Sequence, residues 1–268
     1  VRSRPTAASP LRRLLVATAL VGALLAPVAT APAEADPLLV PDPLQLIDVE
    51  TGLECTELVP HAIALVREEL DLHVRVLLDG VGRKVAREAV RDMRRAYTPI
   101  DIDVRATYER VSFTTRDAAE LNARAKRHYG GERPPGVDVV YTMTSKDVTS
   151  TGPTGGNVAG LADCIGGIRF PDRAFAVGER IADGPGSLLG VPVPLPLDDA
   201  TGKTMAHEIG HLLGAHHHYF SPEGLLAEDP NVGSLMGPTL SIIALRFSTL
   251  NALMVQGHLQ EYGVSGRR

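Results

Sequence analysis

The sequence predicts a layered α+β domain on a mainly parallel, twisted sheet, with one helix carrying its chemistry and another closing the chain. Three observations point there. Between residues 61 and 144, segments of helical and strand period take turns, the order that lays helices over parallel strands. The run His207 to His217 sets histidines at metal-ligand spacing on a helical pattern. Beyond an export-type leader roughly 230 residues remain, enough for one core, with no repeat or heptad among them.

In the leader, Arg2, Arg4, Arg12 and Arg13 precede the apolar run Leu14 to Val28, and small residues at Ala33 and Ala35 follow. That charged, apolar, cleavable order is a secretory signal, expected to be cut after Ala35, so residues 1–35 are read as signal peptide and the product as secreted and extracellular. The apolar run falls short of the roughly 20 residues of a membrane span, and no stable span is expected after signal removal. The Arg12 and Arg13 pair leaves twin-arginine export open beside the general route. Residues 36–60, rich in proline and acidic side chains, read as an extended lead-in or short propeptide, and 61–268 as the folded domain. Cys55 and Cys164 are the chain's 2 cysteines, which predicts a disulfide in an oxidising compartment. The alternative is a Cys55 thiolate that holds a metal site latent.

From His61, H-A-I-A-L-V-R-E-E-L has a helical period, L-H-V-R-V-L-L-D a strand period, and V-G-R-K-V-A-R-E-A-V-R-D-M-R-R-A-Y reads as a long basic helix. I-D-I-D-V-R-A-T-Y-E-R-V alternates as a half-buried strand does, a helix runs from about Asp117 to His128, and V-D-V-V-Y-T-M-T is the next strand. With a net charge of -5 and a pI near 6.0, the arginines from Arg83 to Arg95 are a solvated helix face, and no nucleic-acid partner is expected. T-S-T-G-P-T-G-G-N lacks the lysine of a phosphate cradle and reads as a flexible loop, followed by a glycine-dotted extended segment and the short strand A-F-A-V-G-E. The Gly- and Pro-rich run from Ile181 to Asp199 predicts irregular structure, with Asp198, Asp199 and Thr201 as candidate caps for the helix after it. Ser248 is expected to cap a closing helix that reaches about Tyr262 and packs through Leu250, Leu253, Met254 and Leu259.

The chemistry lies in H-E-I-G-H-L-L-G-A-H-H. Residues four apart on a helix are separated by only about 40° around its axis, so His207 and His211 face one ion with Glu208 beside them. Met205, Ile209, Leu212 and Leu213 form an apolar stripe, which predicts a helix buried on one face and presenting ligands from the other. A continued helix would carry His217 about 15 Å from His207, so Gly214 is expected to end it in a left-handed turn that brings His217 back. His216 and His218 flank that position as rival ligands. Three protein ligands leave a fourth zinc position open, the arrangement of a hydrolytic site, with Glu208 placed to take a proton from water. The implied reaction is hydrolysis of a peptide bond, with Zn2+ as cofactor.

These residues match H-E-x-x-H-x-x-G-x-x-H, and from about His61 to Tyr262 the chain resembles the metzincin clan of zinc metallopeptidases, most nearly its reprolysin-type branch. The resemblance implies zinc ligands His207, His211 and His217, general base Glu208, and Met236 of S-L-M-G-P as a structural floor beneath the metal. It further implies that Gly160, Leu161 and Ala162 form an edge strand for substrate backbone, and that Gly237, Pro238 and Thr239 wall a side-chain pocket. The branch's aspartate after the third histidine is replaced here by His218. The expected protein is a secreted endopeptidase acting on peptides or proteins, as a monomer. The alternatives are a gluzincin-type peptidase with Glu223 or Glu228 as third ligand, and an inactive zinc-binding scaffold.

Overall fold

Leu70–Asp79 (β1) is buried along nearly its whole length, as a strand flanked on both sides must be, whereas Ile102–Val111 (β2) alternates buried and exposed positions, as an edge strand does. The computed structural model describes residue 55 and residues 62–150, 156–181, 187–188, 191–192, 199–217, 234–237 and 245–265. Between β1 and β2 lies helix Arg83–Tyr97 (α1), and after them come helix Ala118–His128 (α2) and strand Val139–Thr144 (β3). Thr149–Ser150 (β4) and Gly156–Asn157 (β5) pair as a short antiparallel ladder inside the run expected to be a loop. Gly160–Ala162 (β6), Phe175–Glu179 (β7), helix Ala200–Leu212 (α3) and helix Thr249–Tyr262 (α4) complete the frame. Ser187–Leu188 (β8) and Val191–Pro192 (β9) also pair, within the Gly- and Pro-rich run expected to be irregular.

The sheet runs β2-β1-β3-β7-β6, with its first four strands parallel and β6 antiparallel on β7. Alternation along each strand sorts side chains into two layers. Val74, Val76, Leu78, Tyr141 and Met143 join Ala86, Ala89, Val90 and Met93 of α1 and Met205 and Ile209 of α3 in one core. Leu77, Val140 and Phe175 turn the other way, onto Ala125 of α2. The α3 helix thus lies on the same face of the sheet as α1, and no helix among the described residues is long and apolar enough to cross a membrane.

Two further sequence expectations are corrected by the packing around the helices. Residues 62–69 are irregular rather than helical, and Ile63, Leu65 and Val66 stay 47%, 95% and 69% exposed. That segment has no apolar surface to bury a helical stripe against. It is held on α4, where Ala64 N–H donates to Leu253 O (3.0 Å) and Gln260 Nε2 donates to Val66 O (3.0 Å). The approach is close enough that a Cβ on Gly257 would stand 2.2 Å from Ala62 O. The other correction concerns α3, every residue of which is buried, so it threads the core rather than presenting an open face.

The basic face of α1 has a structural use. Asp101 O accepts from Leu70 N–H, so by alternation the carbonyls of Val104 and Tyr108 turn toward the open edge of β2. Arg94 Nε donates to Val104 O (2.9 Å) and an Arg83 guanidinium N–H to Tyr108 O (3.4 Å). These arginines cover a sheet edge that would otherwise template pairing with another chain. Cys55 and Cys164 form a disulfide, which sets aside Cys55 as a thiolate ligand.

Candidate metal centre

Helix α3 is held from three sides. Tyr97 of α1 donates its hydroxyl to Ala206 O (3.0 Å). Gly202 lets α1 and α3 cross closely, since a Cβ there would meet Ala89 O at 2.8 Å and Asp92 Cβ at 2.7 Å. Thr201 spends its hydroxyl on the backbone of Ile181 rather than on a cap, and Asp199 makes no side-chain cap but pairs with Lys203 (2.8 Å). Asp198 lies outside the described residues.

At the other end Gly214 adopts φ +87°, with its N–H on His211 O (2.9 Å) and the Ala215 N–H on Gly210 O (2.9 Å). This left-handed stop is the one its sequence position predicts. Glycine is required there twice over, because a Cβ would also stand 2.3 Å from the His258 ring. After the turn, Asn251 of α4 grips the next peptide from both sides. Its Oδ1 accepts from His216 N–H (3.1 Å) and its Nδ2 donates to His216 O (3.0 Å). His216 is thereby held in the interior, and His217 is the residue delivered to the other two histidines.

The three imidazoles converge. The Nε2 atoms of His207 and His211 are 3.1 Å apart, those of His211 and His217 3.0 Å, and those of His207 and His217 3.2 Å. A tetrahedral zinc ion with Zn–N bonds of about 2.0–2.1 Å sets its nitrogens about 3.3 Å apart. The tautomers agree with that use. His207 Nδ1 lies 2.8 Å from Leu235 O and His211 Nδ1 2.8 Å from Ala215 O. A carbonyl only accepts, so both Nδ1 atoms carry the proton and both Nε2 atoms turn bare lone pairs toward each other. Such an arrangement is repulsive without a cation between them. Burial, then the neighbouring His217 and His207, hold His211 well below the usual imidazole pKa and so neutral, as a ligand must be. The donor set fits Zn2+, and these three are the cluster with metal-holding geometry among the described residues.

Glu208 stands beside them, 7% exposed. Burial pushes its carboxyl up to about 8, against the pull of a hydrogen bond from Ala162 N–H; a cation on the adjacent histidines would draw it back down. Ala162 belongs to β6, at the edge of the sheet. Since Ala159 O and Asp163 N–H bond β7, alternation turns the backbone groups of Gly160 and Ala162 away from β7, and the one from Ala162 N–H goes to Glu208. Met236 is fully buried in a turn where Gly237 N–H donates to Ser234 O (3.2 Å). A Cβ on Gly210 would lie 3.0 Å from Met236 Sδ, so this turn packs against α3 between its two histidines. Gly237 is partly exposed beside it, while Pro238, Thr239, His218, Glu223 and Glu228 lie outside the described residues.

Asn251, Gly210 and the carbonyls of Ala215 and Leu235 were not singled out by sequence reasoning. Only Gly210, a glycine inside a helical pattern, carried a local signal of close packing.

Residues 99–218, which include all three histidines and Glu208, match the family model described as Metallo-peptidase family M12B Reprolysin-like. No curated protein matches the chain. Among solved structures, metalloproteinase-II from Bacteroides fragilis is 14% identical with a TM-score of 0.46, over 80% of this chain and 60% of that one. This chain therefore spans 60% of that protein's length. Archaemetzincin from Methanopyrus kandleri is 19% identical with a TM-score of 0.46, over 75% and 99% of the two chains. A zinc-dependent peptidase from Methanocorpusculum labreanum strain Z is 16% identical with a TM-score of 0.43, over 68% and 99%.

Proposed function

We propose that this chain is a secreted zinc endopeptidase of the metzincin type whose general base is Glu208. The observation that carries the reading is the meeting of three Nε2 atoms within 3.0–3.2 Å, two of them unprotonated by tautomer. Zinc held there supplies a Lewis acid that polarises the scissile carbonyl and acidifies water. His207, His211 and His217 would be its ligands.

Glu208 takes the proton of the attacking water and passes it to the leaving amine. The N–H of Ala162 orients the carboxylate from the sheet edge. Extended substrate backbone lies along Gly160, Leu161 and Ala162 as an added strand, because an open edge offers backbone groups for pairing. Gly237 borders the pocket for the substrate side chain after the cut bond. Met236 forms the floor beneath the histidines.

Export rests on the charged, apolar and small-residue order of residues 1–35, and the Cys55–Cys164 disulfide accords with an oxidising destination. N-terminal sequencing of the secreted product should begin at Asp36; a product that retains Ala33 to Ala35 inside the cell would refute it.

The deciding experiment is Glu208→Gln. The variant should keep its zinc by metal analysis and lose peptide cleavage by about 10²–10⁴-fold, while a chelator abolishes cleavage by the parent protein. Near-parental turnover by the variant would remove Glu208 from this role.

A further inference from the structure

Gly160 and Gly178 stand directly opposite each other where β6 and β7 pair, and both would point a side chain toward α3. With no Cβ on either strand, the sheet has a shallow floor at this spot, and two polar side chains occupy it. A Cβ on Gly160 would lie 2.7 Å from Glu208 Cγ and 2.8 Å from its Oε1. One on Gly178 would lie 1.8 Å from the Tyr141 hydroxyl oxygen and 3.1 Å from Thr204 Cγ2. Thr204 is one turn before Glu208 on the same side of α3.

Tyr141 reaches the floor from β3, the central strand. Its ring is fully buried, and its hydroxyl has no hydrogen-bond partner among the described residues. An unpartnered buried hydroxyl opposes folding, and a phenylalanine would fill the same core without that cost. Burial raises the phenol well above its usual range, and the charge of Glu208 adds to that. Phenol and carboxylate therefore share one Cβ-free recess.

We propose that Tyr141 is a positioning residue for Glu208: across the floor made by Gly160 and Gly178, its hydroxyl donates to the Glu208 carboxylate through one ordered water. The Ala162 N–H secures that carboxylate from the sheet edge and Tyr141 secures it from the sheet interior, so the oxygen that handles the proton keeps one orientation. The proposal rests on Glu208 being the general base, and its test separates the two.

In the zinc-loaded full chain, Tyr141→Phe should lower kcat about ten-fold or more while KM, zinc content and thermal midpoint hold. In infrared difference spectra of the parent against Glu208→Gln, which isolate the Glu208 carboxylate band, Tyr141→Phe should move that band. An unmoved band with kcat unchanged, or a raised midpoint alone, would make Tyr141 a core filler and overturn the proposal. Should Tyr141→Phe fold poorly, Gly178→Ala displaces the same hydroxyl with a methyl group; normal kcat in that folded, zinc-loaded variant also overturns it. Turnover by Glu208→Gln would sink the base assignment itself, whereas an inactive Glu208→Gln beside an unaffected Tyr141→Phe sinks only the role of Tyr141.

Discussion

Asn251 shows how much of a metal site can depend on a residue that never touches the metal. Its amide clamps both polar groups of the His216 peptide, so the direction in which His217 leaves the turn is set from α4, a helix remote in sequence. Asn251→Ala should weaken zinc binding about 10–100-fold in a chelator competition titration, with the fold retained by circular dichroism. Unchanged affinity would show that Gly214 alone aims His217. A second side-chain cluster tests the electrostatics of the surface. Tyr129 donates its hydroxyl to Glu109 (2.6 Å), and His128 lies 2.7 Å from the same carboxylate. The Tyr129 hydrogen bond is the largest cause of a Glu109 carboxyl held below its usual range. A depressed folded-state pKa contributes stability above the ordinary carboxylate range and loses it as pH falls through the lower folded value. The gap in thermal midpoint between the parent and Tyr129→Phe should therefore be widest near neutrality and close in strong acid. A gap independent of pH would assign the loss to packing.

Among the elements, α3 is the one that its neighbours define. Its apolar stripe of Met205, Ile209, Leu212 and Leu213 is buried as periodicity predicts, yet the histidine-bearing side is buried too. The sheet covers one side of it, while the turn at Met236 and the ring of Phe247 cover another. It crosses α1 closely at Gly202, where an added methyl would press on Asp92 Cβ and the Ala89 carbonyl, neither of them the far end of a movable side chain. Gly202→Ala should cost about 1–3 kcal/mol in urea unfolding while zinc stoichiometry stays at that of the parent. A loss of zinc along with stability would mean that the crossing also sets the ligand geometry. The basic side of α1 follows the same logic, since Arg83 and Arg94 satisfy carbonyls on the outer edge of β2.

Across the domain, long-range ties bind the periphery to the sheet. Asp138, fully buried, accepts from His73 N–H (2.7 Å) and Val264 N–H (2.6 Å) and from the Ser265 hydroxyl, joining the segment after α4 to the central strands. The Cys55–Cys164 disulfide closes a sequence separation of 109 and fastens Cys55 beside the segment whose Gly166 N–H donates to His211 O (2.8 Å). Replacing both cysteines with serine should reduce unfolding free energy by about 2–4 kcal/mol, measured with denaturant on the zinc-loaded protein. No change would place this tether outside the cooperative unit.

Local patterns in the chain determined a good deal. The period-two and period-3.6 stretches predict β1, α1, β2, α2, β3 and β7, Ser248 does cap α4 through the Asn251 N–H, and the eleven-residue zinc pattern names the histidines that meet. These are legible because strand alternation, helix capping and i,i+4 geometry act between residues close in sequence. Only the tertiary structure decided that residues 62–69 lie irregular against α4, that Asn251 aims His217, and that two facing glycines bring Tyr141 beside Glu208. Each of those depends on surfaces from segments far apart in the chain, and no pattern within any one of them records which partner it will meet.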